Sequence, residues 1–377
     1  MTDDETVHFV REQAGVFDLS ARRAVIEVRG SDRERFLQNL LSNDILAITV
    51  GEFQQNALLD KKSHVLAMFH LYRGHDRISL IVEAAHAQGL FDALDRLHFA
   101  EDIELALPSD AYGAVSVLGH CAGSVCESLL AHTALPGVGR GSCVDVDGES
   151  VLILCDDWAG EPLYECYGPS GVIDEMLKAA ATIEGAQVCS EEIFDVLRLE
   201  SGVPRFGVDV DERYMIMELD RQDALISFTK GCFPGQEIVA RTKSRGTARR
   251  LLRGLVFEGR RDLDIGQTFQ FMDKEGGEIR GSTWSPTLGK TIALAFLNKI
   301  MHLEDGAVTI DLDGERITAT VARLPFYFPE HLQGDAEAAY DAGMTAFHGD
   351  DYDEAKRCFS RAIDRNPHYV HTLKRHT

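Results

Sequence analysis

One order of elements occurs twice in the first 190 residues, and it restricts the fold more than any single motif. Ala24-Val25-Ile26-Glu27-Val28 reads as a strand broken by Gly30. Ser31 with Glu34 three residues later predicts a capped helix, with Phe36, Leu37, Leu40 and Leu41 as its apolar stripe and Asn43-Asp44 as its stop. A strand from Val65 to Tyr72 turns at Gly74-His75-Asp76 into Ile78 to Val82, a helix follows over 86–98, and Ile103-Glu104-Leu105 supplies a last strand. The order strand, helix, strand, strand, helix, strand then returns. Its members are a strand at 115–118, a helix over 122–131, strands at 143–146, 151–155 and 163–167, a helix over 171–182 capped by Ser170, and a closing strand at Val188. Two tandem ferredoxin-like (split β-α-β) units therefore predict an α+β body over residues 1–245, with halves of about 1–108 and 109–245.

From Leu251 the pattern changes to short strands at 255–257, 268–271, 279–283, 292–296, 308–311 and 317–321, with Asp313-Gly314 as a hairpin turn. Even strand spacing without helices predicts a C-terminal antiparallel β-barrel over 246–328. Pro325-Phe326-Tyr327-Phe328-Pro329 reads as a linker. Beyond it, Ala339, Gly343, Ala355, Phe359, Ala362 and Pro367 take the spacings of one tetratricopeptide-like repeat, a helical hairpin over 329–377. One repeat does not bury its own face, so it must dock on the barrel, on a second copy or on a partner helix.

Composition narrows the setting. The start, Met1-Thr2-Asp3-Asp4-Glu5, has neither the apolar run of a secretory signal nor the arginines of a transit peptide. No stretch reaches the roughly 20 apolar residues that cross a bilayer, so a cytoplasmic protein without a membrane partner is expected. Eight cysteines at irregular spacings, without a Cys-x-x-Cys, predict reduced thiols and no zinc or iron–sulfur ligand set. The histidines show no metal-ligand spacing either.

The densest chemistry lies in Lys230-Gly231-Cys232-Phe233-Pro234-Gly235-Gln236-Glu237. Two glycines and a proline exclude a regular element across this run, while the thiol, lysine, carboxamide and carboxylate make it more than a linker. Between Lys230 and Arg261 nine basic residues face two acidic ones; the chain carries −23 overall, so the remainder stands at −30. A cationic strip on such a chain addresses an anionic partner.

This run, with Ile226-Ser227-Phe228-Thr229 before it and Ile238-Val239-Ala240-Arg241-Thr242-Lys243 after it, resembles the motif of the YgfZ family of folate-binding proteins. That family is related to the T-protein (aminomethyltransferase) of the glycine cleavage system and includes an iron–sulfur assembly factor. The resemblance covers most of residues 10–328 and is clearest at 36–45, 196–207 and 226–243. It implies a protein that binds tetrahydrofolate, preferably polyglutamylated, and supports iron–sulfur enzymes or their assembly factors. The alternative it leaves open is an aminomethyltransferase that moves a one-carbon unit to tetrahydrofolate.

The resemblance also assigns residues. Ile193, Val196 and Leu197 define an apolar helix stripe that carries Glu200 one turn on, where an acid needs a partner. That partner is Arg198 or Arg205 on the residues alone, and the pterin ring of folate on the resemblance. Cys232 is expected at the mouth of the folate site as a functional thiol, against a reading as a small packing residue. Arg241 begins the basic strip, reaching to Arg253, that would take the glutamyl tail. Lys230, Gly231, Gly235, Gln236 and Glu237 shape the loop, with Glu237 placed to pair with Arg241 four residues on if a helix continues. Tyr164 is expected as a pocket wall, against plain packing. T-proteins carry an acidic pair in the first hairpin where this chain has Ala67-Met68, which favours binding over aminomethyl transfer. An RNA surface is disfavoured, because the basic strip between Arg241 and Arg253 lacks aromatic residues for base stacking.

Overall fold

The computed structural model describes residues 1–107, 112–246, 248–301, 306–328, 338–345 and 358. It opens on an element absent from the reading above, the helix α1 (Asp3–Glu12). Thr2 Oγ1 accepts from the Glu5 N–H at 3.3 Å and Glu5 Oε2 accepts from the Thr2 N–H at 2.8 Å, a reciprocal capping box. Strand β1 (Ala14–Asp18) follows directly.

The first sheet is built from β2 (Arg23–Arg29), β3 (Phe53–Leu59), β4 (Val65–Arg73), β5 (Ile78–Glu83) and β6 (Glu104–Ala106), in the order β3-β4-β5-β2-β6 and antiparallel throughout. Helices α2 (Arg33–Leu40) and α3 (Ala84–Leu97) bury Phe36, Leu37, Leu90 and Leu94 against Ile26, Leu71 and Leu80 of its strands. The expected cap of α2 is corrected. Asp32 takes the N-cap position, Ser31 Oγ donates instead to Asp102 at 2.7 Å, and Glu34 accepts from Arg73 at 2.8 Å. Charged partners brought in by the fold outcompete the local backbone donors.

The second sheet comprises β7 (Tyr112–Leu118), β8 (Arg140–Val146), β9 (Glu149–Asp156), β10 (Leu163–Pro169) and β11 (Ala186–Cys189), with β1 inserted to give the order β11-β1-β7-β10-β9-β8. β1 runs parallel to β11 and antiparallel to β7, so the first strand of the chain belongs to the later sheet. Sheet membership therefore crosses the boundary expected near residue 108. Helices α4 (Ala122–Leu129) and α5 (Ser170–Ala180) cover one face of this sheet over Val16, Val117, Ile153 and Cys166. Its other face shares a core with the first sheet, in which Phe17, Tyr72, Leu154 and Tyr167 pack with Phe194 and Leu197 of α6 (Glu191–Glu200).

Two short helices, α7 (Gln222–Leu225) and α8 (Gln236–Arg245), lead to six strands that close into a barrel. These are β12 (Arg250–Glu258), β13 (Thr268–Phe271), β14 (Lys274–Ser285), β15 (Lys290–Asn298), β16 (Gly306–Leu312) and β17 (Glu315–Ala322), ordered β12-β15-β14-β13-β16-β17. Leu255, Phe257, Phe269, Ile279, Leu297, Ile310 and Val321 fill the interior, and closure removes exposed sheet edges.

The linker reading of 325–328 is corrected. The Phe326 and Tyr327 N–H groups donate to the Glu200 carbonyl at 2.9 and 3.0 Å, and Phe326 packs against the core that joins the body to the barrel. Its aromatic residues bury better than they solvate, so the segment lies as a strap across the end of α6. The helical-hairpin reading of 329–377 lies outside the described residues, apart from a helical stretch at 338–345 and the single residue Cys358.

Candidate functional site: an arginine-lined cavity

Where the two sheets and α6 meet, Gln55 of β3, Met68 and His70 of β4, Glu83 at the end of β5, Trp158 after β9, and Phe194 and Arg198 of α6 enclose a cavity. Arg22 and Arg23 reach it from the start of β2, Val203 to Phe206 from the turn after α6, and Arg221 from the start of α7. The cavity measures about 90 Å³ and opens to solvent. Trp158 meets Phe194 edge to face at 5.7 Å, and the Arg22 guanidinium lies 5.2 Å over the Phe194 ring. Aromatic walls with a few polar groups are what a flat organic ligand needs.

The electrostatics decide which ligand. Glu83 is held by Arg23, by Arg205 Nε at 2.6 Å and by Arg22 Nε at 3.8 Å. Asp195 receives Arg22 at 2.8 Å, Arg198 at 2.9 Å and Arg205 at 3.5 Å. Arg198 also reaches the fully buried Asp209 at 2.6 Å. Burial lowers the Arg22 pKa even with Asp195 beside it. Despite this network, Arg22 Nε and Nη1, Arg23 Nε and His70 Nε2 are buried without a hydrogen-bond partner. Such orphans are costly in an interior.

Glu200 is elsewhere. It is fully buried, with Arg11 donating at 2.8 Å, Thr287 Oγ1 at 2.9 Å and Ser285 Oγ at 2.5 Å, and it does not line the cavity. Arg11 also bonds Glu161 and lies 4.0 Å over the ring of Tyr327, whose hydroxyl donates to Glu161 at 3.2 Å. Burial raises the Glu161 pKa against the pull of Arg11. The expectation of a pterin-binding Glu200 is therefore corrected to a clamp joining α1, α6, the barrel and the strap. The partner is neither Arg198 nor Arg205 but Arg11, which no local spacing discloses.

Tyr164 is corrected too. Side chains alternate along β10, so Leu163 and Tyr167 face the shared core while Tyr164 and Cys166 face α4 and α5, away from the cavity. Burial raises its pKa in that packed setting.

The motif loop divides by role. Lys230 Nζ donates to the carbonyls of Gln38 and Leu41 at 2.6 Å and of Asn43 at 2.9 Å, closing the C-terminal end of α2. Burial pushes its ammonium down to about 8, with Asp44 opposing. Gly235 has φ of +81°, and a Cβ there would stand 2.7 Å from the Asp60 carbonyl oxygen, so glycine is required. Gly231 is exposed with open space around it. α8 starts inside the motif at Gln236, and Glu237 meets Arg241 at 3.3 Å, both exposed. Cys232 is exposed as well and is not part of the cavity lining. Lys230→Met is expected to lower stability by about 3 kcal/mol, because a methionine cannot bond the three carbonyls. Urea unfolding of both proteins, with the slope checked for equality, measures it.

The cavity residues Arg22, Arg23, His70, Arg198, Arg205 and Arg221 were not singled out from sequence. The signal available was five arginines beside strand and helix ends in an acidic chain, and two of them, Arg198 and Arg205, had been weighed only as partners for Glu200. Among the described residues no group of three metal-ligating side chains occurs, and no helix is long and apolar enough to cross a membrane.

A two-sheet body with an aromatic and cationic cavity is joined to a closed barrel. Residues 2–228 match the GCVT N-terminal domain and residues 250–327 the glycine cleavage T-protein C-terminal barrel domain, and the chain belongs to this family. An aminomethyltransferase of Anoxybacillus flavithermus is 28% identical over 324 residues, covering 84% of this chain and 88% of the relative. One from Exiguobacterium sibiricum is 29% identical over 327 residues, covering 84% and 87%. The crystal structure of glycine cleavage system aminomethyltransferase T from Bartonella henselae shares the fold, with a TM-score of 0.78 at 21% identity over 86% of this chain and 89% of that one.

Proposed function

We propose that the protein binds a reduced folate in the cavity between its sheets and transfers a one-carbon unit to it. The observation that carries this is a cavity with aromatic walls lined by five arginines and His70. Tetrahydrofolate offers a planar pyrimidinone ring whose carbonyl and ring nitrogen accept from such donors. Its anionic glutamyl tail suits the exposed Arg241, Lys243, Arg245 and Arg249. Membership of a family whose relatives are named aminomethyltransferase favours transfer as the reaction.

A second reading is favoured by two side chains. Met68 faces the cavity from β4, while Ala67 turns into the core of the first sheet, so the stretch that resembles the acidic pair of T-proteins brings no carboxylate there. Cys232 meanwhile stands exposed on the motif loop. On this reading the protein holds tetrahydrofolate in support of iron–sulfur enzymes, with Cys232 as the functional thiol. Calorimetry with mono- and polyglutamylated tetrahydrofolate is expected to show saturable binding, and no binding of either form ends both readings. Turnover of an aminomethyl-lipoyl carrier then selects the first. Binding without turnover, with loss of iron–sulfur enzyme activity in cells carrying Cys232→Ala, selects the second.

A further inference from the structure

A second cavity, of about 290 Å³, lies where the body meets the barrel and shares no lining residue with the first. Its charges are of two kinds. Arg250 donates to Glu218 at 3.1 Å and to the Arg213 carbonyl at 3.0 Å, and Arg213 is held by Asp211 at 2.9 Å, so these cations are compensated. Arg249 and Glu275 are not. Both are exposed, neither makes an ion pair among the described residues, and the Glu275 carboxylate accepts only from Asn298, at 3.3 Å. Asn298 is the cross-strand neighbour of Arg250 and also bonds the Glu275 carbonyl at 3.0 Å, so the strand ends hold two opposite charges beside one opening without joining them. From the body side, His64 Nδ1 lies 2.9 Å from Asp60 Oδ2, which places the proton there and leaves Nε2 as an acceptor.

We propose that this second cavity binds a free α-amino acid, with its carboxylate on Arg249 and its ammonium on Glu275 and His64 Nε2. A guanidinium fork matches a carboxylate, and bonds between charged groups are the strong ones. Two unpaired charges of opposite sign complement a zwitterion. A simple anion would meet Glu275, and a simple cation would meet Arg249, so both are selected against. The ligand's side chain is expected to be neutral and polar, because Arg213 and Arg250 each keep an unbonded Nη1 while their charges are already balanced. The assignment does not depend on the folate reading, and of the residues offered there to the glutamyl tail it involves Arg249 alone.

The test removes one charge of the ligand at a time. Nuclear magnetic resonance titration of the full chain with L-alanine, L-serine and L-glutamine is expected to show saturable binding with Kd of roughly 1 mM, as suits an exposed site. N-acetyl-L-alanine lacks the ammonium and L-alaninamide lacks the carboxylate; each is expected to bind at least about tenfold more weakly than L-alanine. Arg249→Gln and Glu275→Gln, each checked by thermal unfolding, are expected to lose about tenfold in affinity for the amino acids, and Arg249→Lys to keep part of it. Combining Arg249→Glu with Glu275→Arg should recover part of what either reversal loses alone, since the zwitterion can turn end for end. No saturable binding of the three amino acids to the native protein, equal affinity for the single-charge analogues, or unchanged affinity in both glutamine variants overturns the assignment. The folate reading stands or falls separately, on the tetrahydrofolate titration.

Discussion

Glu200→Ala is expected to lower the stability of the body by about 3–5 kcal/mol while leaving the affinity of the folded protein for its ligand within a factor of about two. The size follows from what remains after truncation. Arg11 keeps its charge and loses one of its two carboxylates, and Ser285 and Thr287 keep hydroxyl groups pointed at a void. These groups come from α1 and the β14 to β15 connection, while the backbone of Glu200 itself holds the strap. Glu200→Gln keeps the volume and two acceptor contacts, and should recover part of the loss. Chemical unfolding gives the first number and calorimetry the second. A loss of affinity of a hundredfold in a well-folded Glu200→Gln protein would return this residue to the binding site.

Arg198→Met should cost a similar amount, about 3–5 kcal/mol, by leaving Asp209 buried beside an apolar side chain. Arg198 bonds the Val203 carbonyl at 2.6 Å as well as Asp195 and Asp209, so it also fixes the turn that carries Val203 to Phe206 into the cavity wall. The deficit should depend on pH. Burial already raises the Asp209 pKa from its ordinary 3.8, and Arg198 is the main group opposing that shift. Without the arginine the folded state holds this proton more tightly still. Stability of the variant relative to the native protein should therefore fall as pH rises through the raised titration range of Asp209 and recover on acidification. Adding Asp209→Asn should flatten that dependence; a deficit equal at pH 5 and pH 8 would show that Asp209 is not its source.

The parts of this molecule visible in sequence were those with local causes. All six barrel strands were readable because they alternate between turns, and Asp313-Gly314 does form the tight turn between β16 and β17, with φ of 52° and 85°. The pairing of Glu237 with Arg241 was readable because it depends only on helical spacing. α1 was not legible although Thr2 and Glu5 spell its capping box, because Val7 and Val10 alone make too short an apolar stripe. The cavity was illegible for another reason. Arg23 and Glu83 stand 60 positions apart and Arg11 and Glu200 stand 189 apart, so partnerships of this kind are set by topology and not by spacing. Glu200 reads in sequence as an acid needing a partner, but neither local spacing nor resemblance points to Arg11. Tyr164 failed through strand phase, since a one-residue offset decides between the cavity and the helices.

The position of β1 sets a timetable for synthesis. Its residues leave the ribosome first, yet β11, with which it aligns in parallel, is made about 170 residues later, a delay of roughly 10–30 s at ordinary elongation rates. The other edge of β1 can pair with β7 much earlier, so through the rest of that interval one edge of the strand stays open. A fragment that begins after residue 18 would leave β11 without a neighbour, whatever else it retains.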